Sequence, residues 1–257
     1  MIHNTAIISK KAHIDSDVSI GAYSVIEDEV QIDSGTKIES HVVIQGPTKI
    51  GKNNHIFSFA AIGGDPQDKK YNNEVTSLEI GDNNTIREYC TINRGTTQDS
   101  KKTLLGNNNW IMAYVHIAHD CVVGNNVIFA NNATLAGHVR VDDWAIFGGF
   151  TGAHQYTRIG AHSFIGMNTL TTKDIPAYVM AEGQPIKPRG VNIEGLRRRG
   201  FNQKQIKNIK DAYRILYRQD LKLSSAISEI ENLSNNQPEL KPFLESLKHS
   251  SERGIIR

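Results

Sequence analysis

The chain has few cysteines, no long apolar run and no strong excess of one charge. Only two of its 257 residues are cysteines. No apolar stretch approaches the roughly 20 residues that a membrane-spanning helix needs, which excludes insertion into a membrane. The first twenty residues lack the apolar core of a signal peptide. We therefore expect a cytoplasmic protein.

The formal net charge of +2 conceals an uneven distribution. Residues 186–257 hold 15 Lys and Arg against 8 Asp and Glu, whereas the rest of the chain holds 14 against 19. The basic end suits an anionic partner such as a nucleotide diphosphate or an acidic carrier protein, but it is equally compatible with a solvated helical surface. Nucleic acid is not among the partners we expect.

Isoleucine recurs at every sixth position from Ile2 to Ile62, without a break. The frame resumes at Ile80 and, after a slip of one residue, aliphatic or aromatic residues continue it from Leu105 to Ile165. Neither a helix nor a flat strand has this period, whereas a coil of hexapeptide repeats returns an inward residue every sixth position. Glycine and asparagine follow many of these positions and favour sharp corners. The pattern predicts a mainly β protein, a parallel β-helix in which residues about 18 apart stack.

The residue two places before each aliphatic position is small or β-branched and lies on the same inward face of the strand. Cys90 and Cys121 both occupy this position. We therefore interpret them as small core residues, without a redox or metal-binding role.

The coil is interrupted twice and then ends. We predict that it spans residues 1–185, with loop excursions near 63–79 and 93–104, and that an α-helical domain spans 186–257. Apolar residues spaced three and four apart predict three amphipathic helices around 206–216, 226–233 and 240–247. Loops expelled from a rigid scaffold often carry function.

Five of the ten histidines lie between residues 116 and 162, and none occupies an inward position: His116, His119, His138, His154 and His162. Their spacing of about 18 predicts a column of imidazoles along one edge of the coil. Three histidines with an open position would suit a zinc ion that activates water, as in β-helix carbonic anhydrases. A histidine could equally act as a general base towards a hydroxyl group. Spacing leaves both chemistries open.

Five strings together resemble the UDP-N-acetylglucosamine O-acyltransferase family over essentially the whole chain. They are PQDKKY (66–71), HIAHDCVVGNN (116–126), NNATLAGHV (131–139), GAHQY (152–156) and GVNIEGLRRRGF (190–201). The resemblance implies a left-handed parallel β-helix, a homotrimer with active sites between neighbouring coils, and no metal or organic cofactor. It also implies transfer of a 3-hydroxyacyl chain from acyl carrier protein to the 3-hydroxyl of UDP-N-acetylglucosamine, the first step of lipid A synthesis.

The resemblance also implies roles for individual residues. His119 would be the general base, Asp120 would support its imidazolium, and the backbone N–H of Gly137 would stabilise the oxyanion. Because neighbouring side chains in a strand point in opposite directions, the His119–Asp120 pair requires a corner of the coil. The residues implied in substrate binding are Asp68, Lys70, His116, His138, His154, Gln155, Asn192, Glu194, Arg198 and Arg199.

Two positions depart from or vary within the family. Asn93 stands where relatives commonly have histidine, so we expect a different local contact there. Met167 lies along the implied acyl groove, and a long side chain there should shorten the groove, because each excluded methylene forfeits roughly 0.8 kcal/mol of burial. We therefore expect a donor of ten or twelve carbons rather than fourteen.

Three alternatives remain at this stage. They are a sister acyltransferase that N-acylates a later lipid A intermediate, a metal-dependent hydratase, and a purely structural coil. The strings PQDKKY and GVNIEGLRRRGF argue against the first alternative, and the two loops with the outward histidines argue against the third.

Overall fold

The computed structural model describes residues 1–257 and consists of three mostly parallel sheets wound as one coil, followed by short helices. This confirms the predicted parallel β-helix. The chain passes from sheet 1 to sheet 2 to sheet 3 and back to sheet 1, so each complete turn contributes one strand to each sheet.

The strands are short, and their bounds follow sheet by sheet. Sheet 1 contains β1 (Ile7–Ile8), β4 (Val25–Ile26), β7 (Val43–Ile44), β10 (Ala61–Gly64), β13 (Thr91–Asn93), β16 (His116–Ile117), β19 (Thr134–Leu135), β22 (Gly152–Ala153) and β25 (Leu170–Thr171). Sheet 2 contains β2 (His13–Ile14), β5 (Val30–Ile32), β8 (Thr48–Ile50), β11 (Ser77–Ile80), β14 (Lys102–Leu105), β17 (Val122–Val123), β20 (Arg140–Val141) and β23 (Arg158–Ile159). Sheet 3 contains β3 (Ser19–Ile20), β6 (Lys37–Ile38), β9 (His55–Ile56), β12 (Thr85–Ile86), β15 (Trp110–Ile111), β18 (Ile128–Phe129), β21 (Ile146–Phe147), β24 (Phe164–Ile165), β26 (Val179–Glu182) and β27 (Lys187–Val191).

The residues of the six-residue period form the interior of the coil. Neighbouring strands pair in register, so that Ile32 lies opposite Ile50 and Ile50 lies opposite Ile80. Ile32, Ile50 and Ile80 are at most 3% exposed, and they belong to one apolar cluster that also includes Cys90 and Cys121. Burying each isoleucine contributes roughly 1.5–3 kcal/mol, which makes the repeated position the main source of stability.

The corners between sheets use a left-handed backbone residue. Positive φ angles occur at non-glycine residues on all three edges, for example Glu29 (58°), Asn53 (54°) and Phe59 (66°). Asparagine tolerates this conformation better than most residues, which explains its frequency after the aliphatic positions. The two irregular excursions, residues 65–76 and 94–101, both leave the coil between a strand of sheet 1 and a strand of sheet 2.

The C-terminal part contains α1 (Ile193–Arg198), α2 (Gln203–Arg218), α3 (Leu223–Ser234), a 3₁₀ turn (Pro238–Leu240) and α4 (Lys241–Lys248). Asn202 and Gln205 form a capping box at the start of α2. Helices thus occur at the three predicted places, whereas the short α1 was not anticipated as a separate element. Strand β27 belongs to sheet 3 although it lies beyond residue 185, where we predicted that the coil ends. The boundary between the coil and the helical domain stays a prediction. No helix is both long and apolar enough to cross a membrane.

Candidate active site

The corner between sheets 1 and 2 brings together both excursions and most of the residues implied in catalysis. His119 and Asp120 lie between β16 and β17, and Gly137 and His138 lie one turn further along, between β19 and β20. We call the part of this edge that lies between residues 65 and 156 the covered corner, because the two excursions fold over it. The name refers only to the connections between sheets 1 and 2 in that range.

A left-handed residue makes the His119–Asp120 pair possible. Asp120 has a φ of 58°, which turns its side chain to the same side as that of its neighbour. The Nδ1 atom of His119 lies 2.8 Å from Oδ2 of Asp120. With Nδ1–H donated to the carboxylate, Nε2 is the nitrogen left to accept a proton.

Asp120 is buried and held by the second excursion. The backbone N–H of Thr96 donates to Oδ1 at 2.8 Å, and the Thr96 hydroxyl donates to Oδ2 at 2.6 Å. Burial by itself would raise the pKa of Asp120, but the hydrogen bonds from His119 and Thr96 outweigh it and lower the pKa below its ordinary value. The carboxylate therefore stays ionised beside the imidazole.

Gly137 lies directly under the His119 ring. A Cβ atom at this position would meet Cε1 of His119 at 2.5 Å, so the imidazole packs against a surface that only glycine provides. The N–H of Gly137 donates no backbone hydrogen bond within the chain, whereas His138 N–H donates to the His119 carbonyl at 3.0 Å. A free N–H beside a basic imidazole is the arrangement that an oxyanion requires.

His138 points away from the coil interior but is only 8% exposed. Its ring stacks on Tyr156 with centroids 4.4 Å apart, and its Nδ1 atom lies 3.2 Å from Oδ2 of Asp99. Its Nε2 atom is 3.8 Å from Asp120 Oδ2. Two carboxylates therefore flank this imidazole, one from the coil and one from the second excursion.

The other implied residues of the covered corner lie around this cluster. His116 Nδ1 is 2.7 Å from the Thr91 hydroxyl, and burial together with the nearby His119 lowers the pKa of His116. His154 and Gln155 are exposed one turn below His138.

The first excursion carries Asp68 and the exposed Lys70, whose backbone N–H donates to Asp68 Oδ1 at 2.9 Å. Arg94 braces this excursion, because its buried guanidinium contacts Asp65 and donates to the Tyr71 hydroxyl at 3.3 Å. The Asn93 amide donates to the Asp65 carbonyl at 2.7 Å.

The residues implied in nucleotide binding lie on a different edge, between sheets 2 and 3. Asn192 caps α1 and donates from Nδ2 to the His162 carbonyl at 3.0 Å. Arg199 donates from Nη1 to His162 Nδ1 at 2.9 Å and lies over the Trp144 ring at 5.0 Å. Glu194 and Arg198 form an exposed ion pair of 3.1 Å. One chain therefore does not bring these residues to His119.

Met167 lies on the third edge, between sheets 3 and 1, where it is 73% exposed. The implied catalytic, nucleotide and acyl-chain residues thus occupy three different corners of the same coil. Since a single chain presents them in three directions, a site that uses all of them needs a second copy of the chain.

Three contacting residues were missed by sequence reasoning: Thr96, Asp99 and Arg94. All lie on the second excursion or where it leaves β13, in the string NRGTTQDSKK, which was recognised as a loop without any of its residues being singled out. The hydrogen-bonding side chains within that loop were the available signal.

The covered corner also brings three potential metal ligands together. Ligating atoms of His119, Asp120 and His138 lie within 4.8 Å of one another. However, both oxygens of Asp120 already accept hydrogen bonds from Thr96, and Oδ2 also contacts His119. This donor set is therefore arranged for orienting a histidine rather than for holding an ion.

Two family models match parts of the chain. A model of the bacterial transferase hexapeptide, of six repeats, matches residues 102–137, and a model described as domain 2 of UDP-N-acetylglucosamine O-acyltransferase matches residues 174–256. The coil and these two matches thus define a hexapeptide-repeat transferase.

Full-length relatives identify the family more closely. The chain is 54% identical to the acyl-[acyl-carrier-protein]–UDP-N-acetylglucosamine O-acyltransferase of Herminiimonas arsenicoxydans, over 100% of this chain and 99% of that protein. It superposes on the UDP-N-acetylglucosamine acyltransferase of Francisella novicida with a TM-score of 0.98 at 42% identity, covering 100% of this chain and 94% of the other. The corresponding Arabidopsis enzyme gives a TM-score of 0.87 at 34% identity, over 100% of both chains. The chain belongs to the UDP-N-acetylglucosamine O-acyltransferase family.

Proposed function

We propose that this chain transfers a 3-hydroxyacyl group from acyl carrier protein to the 3-hydroxyl of UDP-N-acetylglucosamine, the first step of lipid A synthesis. The observation that carries the proposal is the His119–Asp120 pair of 2.8 Å beside the free N–H of Gly137, in a chain of this family. We place the reaction in the cytoplasm.

In the proposed mechanism, His119 Nε2 removes the proton of the sugar hydroxyl while the oxygen attacks the thioester carbonyl. The negatively charged oxygen of the tetrahedral intermediate accepts a hydrogen bond from Gly137 N–H. Collapse of the intermediate breaks the carbon–sulfur bond, and the imidazolium returns its proton to the thiolate. Asp120 stabilises the imidazolium throughout and keeps the proton on Nδ1.

The binding roles follow the edges on which residues lie. His116, His138, His154 and Gln155 share the edge of the base and would line its cleft, and Asp68 and Lys70 would hold the sugar from the first excursion. The nucleotide would meet Asn192, Glu194, Arg198 and Arg199, with guanidinium groups suited to phosphate. Because these four residues lie on another corner, we propose that a neighbouring subunit supplies them within a homotrimer.

The donor chain would run past Met167 of a neighbouring subunit. A long side chain at this position should shorten the acyl groove, so we propose a donor of ten or twelve carbons. The acidic carrier protein would dock on a groove of about 350 Å³ between α1 and α2, lined by Arg197 of α1 and by Lys207, Lys210 and Arg214 of α2.

The testing experiment is acyl transfer from a panel of 3-hydroxyacyl carrier proteins to UDP-N-acetylglucosamine, with wild type and His119→Ala. We expect turnover that falls about 100- to 10,000-fold in the variant, the contribution typical of a general base. Lys49→Gln, an exposed change on the outer face of β8, serves as the control.

Turnover that survives His119→Ala would overturn the assignment of the base but not the reaction. Equal turnover of a fourteen-carbon donor would overturn the role of Met167. Transfer only to an amino-sugar acceptor would point to the sister N-acyltransferase.

A further inference from the structure

A groove of about 690 Å³ begins at the covered corner and runs down the coil towards the C-terminal tail. His138 and Tyr156 line its upper end, and four cations line the rest: Arg140, Arg158, Lys173 and Arg253. We call this feature the coil groove. Its carboxylates are Asp99, which contacts His138, and Glu252.

Two of the arginines face each other across neighbouring strands. Arg140 of β20 pairs in register with Arg158 of β23, so their backbones are about 4.8 Å apart and both side chains point outward. Like charges in this position repel each other. None of the four cations has a carboxylate within 4.0 Å. The coil groove therefore carries a net positive charge, with four cations against two carboxylates and no ion pair between them.

The far side of the coil groove is fixed by a buried aspartate. Asp174 is 1% exposed and accepts hydrogen bonds from the Arg158 N–H at 2.8 Å and the Ser251 hydroxyl at 2.7 Å. Its own N–H donates to the Gly254 carbonyl at 2.8 Å. The tail that carries Arg253 is thus fastened next to the strand that carries Arg158, which gives the groove a defined shape.

The polar and cationic lining of the groove fits one part of the proposed substrates better than the others. Its largely polar lining does not suit an acyl chain, and the candidate residues for the nucleotide lie on another corner. Arg140 and Arg158 lie one and two turns of the coil below the turn that carries His119, a separation of about 5–10 Å at the usual strand spacing. This lies within the reach of the pantetheine arm that carries the thioester on an acyl carrier protein and ends in a phosphodiester.

We propose that the coil groove binds the phosphodiester of the donor's phosphopantetheine arm, with Arg140 and Arg158 as its main ligands. This inference rests on the proposed acyl transfer, because it assigns the groove to the donor of that reaction. Guanidinium groups bind phosphate oxygens through paired charge-assisted hydrogen bonds, and bound phosphate would relieve the repulsion between the two arginines.

The test compares three donors with the same acyl chain: acyl-pantetheine, acyl-phosphopantetheine and acyl carrier protein. The double variant Arg140→Gln/Arg158→Gln should raise KM about 10- to 100-fold for the two donors that contain phosphate, the loss typical of hydrogen bonds to a charged group. KM for acyl-pantetheine and for UDP-N-acetylglucosamine should stay at the wild-type value. Lys49→Gln, which removes one exposed cation from the same sheet, should change none of these values.

Three results would overturn the assignment. An unchanged KM for acyl-phosphopantetheine would mean that the groove does not bind the phosphate. A rise in KM confined to acyl carrier protein would mean that the two arginines contact the carrier protein itself rather than its phosphodiester. A rise for UDP-N-acetylglucosamine would assign the groove to the acceptor.

Calorimetric titration with phosphopantetheine and with pantetheine separates this proposal from the proposed function. Wild type should bind the phosphorylated compound more tightly, and the double variant should bind both equally, whether or not acyl transfer to UDP-N-acetylglucosamine occurs. Equal binding of both compounds by wild type would overturn the proposal even if the enzyme turns over. Thermal unfolding of both variants verifies that their folds are intact.

Discussion

Two turns of the same corner share a backbone but differ in chemistry. Near the N-terminal end, Asp28 and Glu29 lie between sheets 1 and 2, and Glu29 has a φ of 58°, as Asp120 does four turns further along. Asp28 pairs with Lys11 at 2.7 Å in an exposed position, whereas the side chain of Asp120 has no exposed area. The repeat thus supplies a left-handed corner residue at both places, and only one of them becomes a candidate site.

The difference lies in what covers each corner. No excursion leaves the coil near Asp28, so water screens its ion pair and the pair contributes little. Over Asp120, the second excursion provides Thr96 as a double donor and Asp99 as a partner for His138. In a low-dielectric site, such hydrogen bonds orient the imidazole and strengthen its interaction with the carboxylate.

The largest expected effect comes from neutralising Asp120, compared with the same change at Asp28. Asp120→Asn should lower kcat about 100- to 10,000-fold, because the amide neither holds the proton on His119 Nδ1 nor stabilises the imidazolium. Asp28→Asn, the same change at the uncovered corner, should leave kcat and the melting temperature unchanged. Steady-state kinetics of both variants provides the measurement, and equal effects of the two substitutions would contradict the comparison.

A smaller loss is expected when a methyl group is added beneath the imidazole. In Gly137→Ala the new Cβ would lie 2.5 Å from His119 Cε1, so the ring must move away from the position that Asp120 sets. We expect kcat to fall about 100- to 1,000-fold, as when one oxyanion donor is lost. Gly190→Ala is the matched control, because nothing lies within 4 Å of a Cβ at that position. Wild-type turnover in Gly137→Ala would show that the ring is not held where the structure has it.

Sequence reasoning predicted the coil because its cause is local and repeated. An isoleucine every sixth residue fixes which side chains face inward, and the register of Ile32, Ile50 and Ile80 follows from that period. The requirement that His119 and Asp120 meet at a corner was also predictable, since neighbours in a strand diverge.

The contacts of the excursions were not predictable in the same way. Thr96 and Asp99 reach the covered corner across 24 and 39 positions of sequence, to Asp120 and His138. No period specifies such contacts, because they depend on how a single irregular loop folds. The separation of His119, Arg199 and Met167 onto three edges likewise became visible only once each strand could be assigned to a sheet.

The smallest expected effect extends the comparison to the corner between sheets 2 and 3. Asn53 and His162 occupy equivalent left-handed positions, with φ of 54° and 59°, but Asn53 is exposed whereas Arg199 and Phe201 contact His162. Burial, together with the positive charge of Arg199, lowers the pKa of His162 from 6.5 to about 4.

Between about pH 4 and pH 6.5, His162 is therefore protonated in the unfolded chain and neutral in the folded chain. The free energy of unfolding should therefore fall as the pH falls from 6.5 to about 4, and above pH 6.5 His162 should not lower it. His162→Asn, which places at this corner the residue that the coil uses at Asn53, should flatten the pH dependence over that interval. Urea unfolding at several pH values measures the effect, and parallel curves for the variant and wild type would mean that covering this corner does not shift the titration of His162.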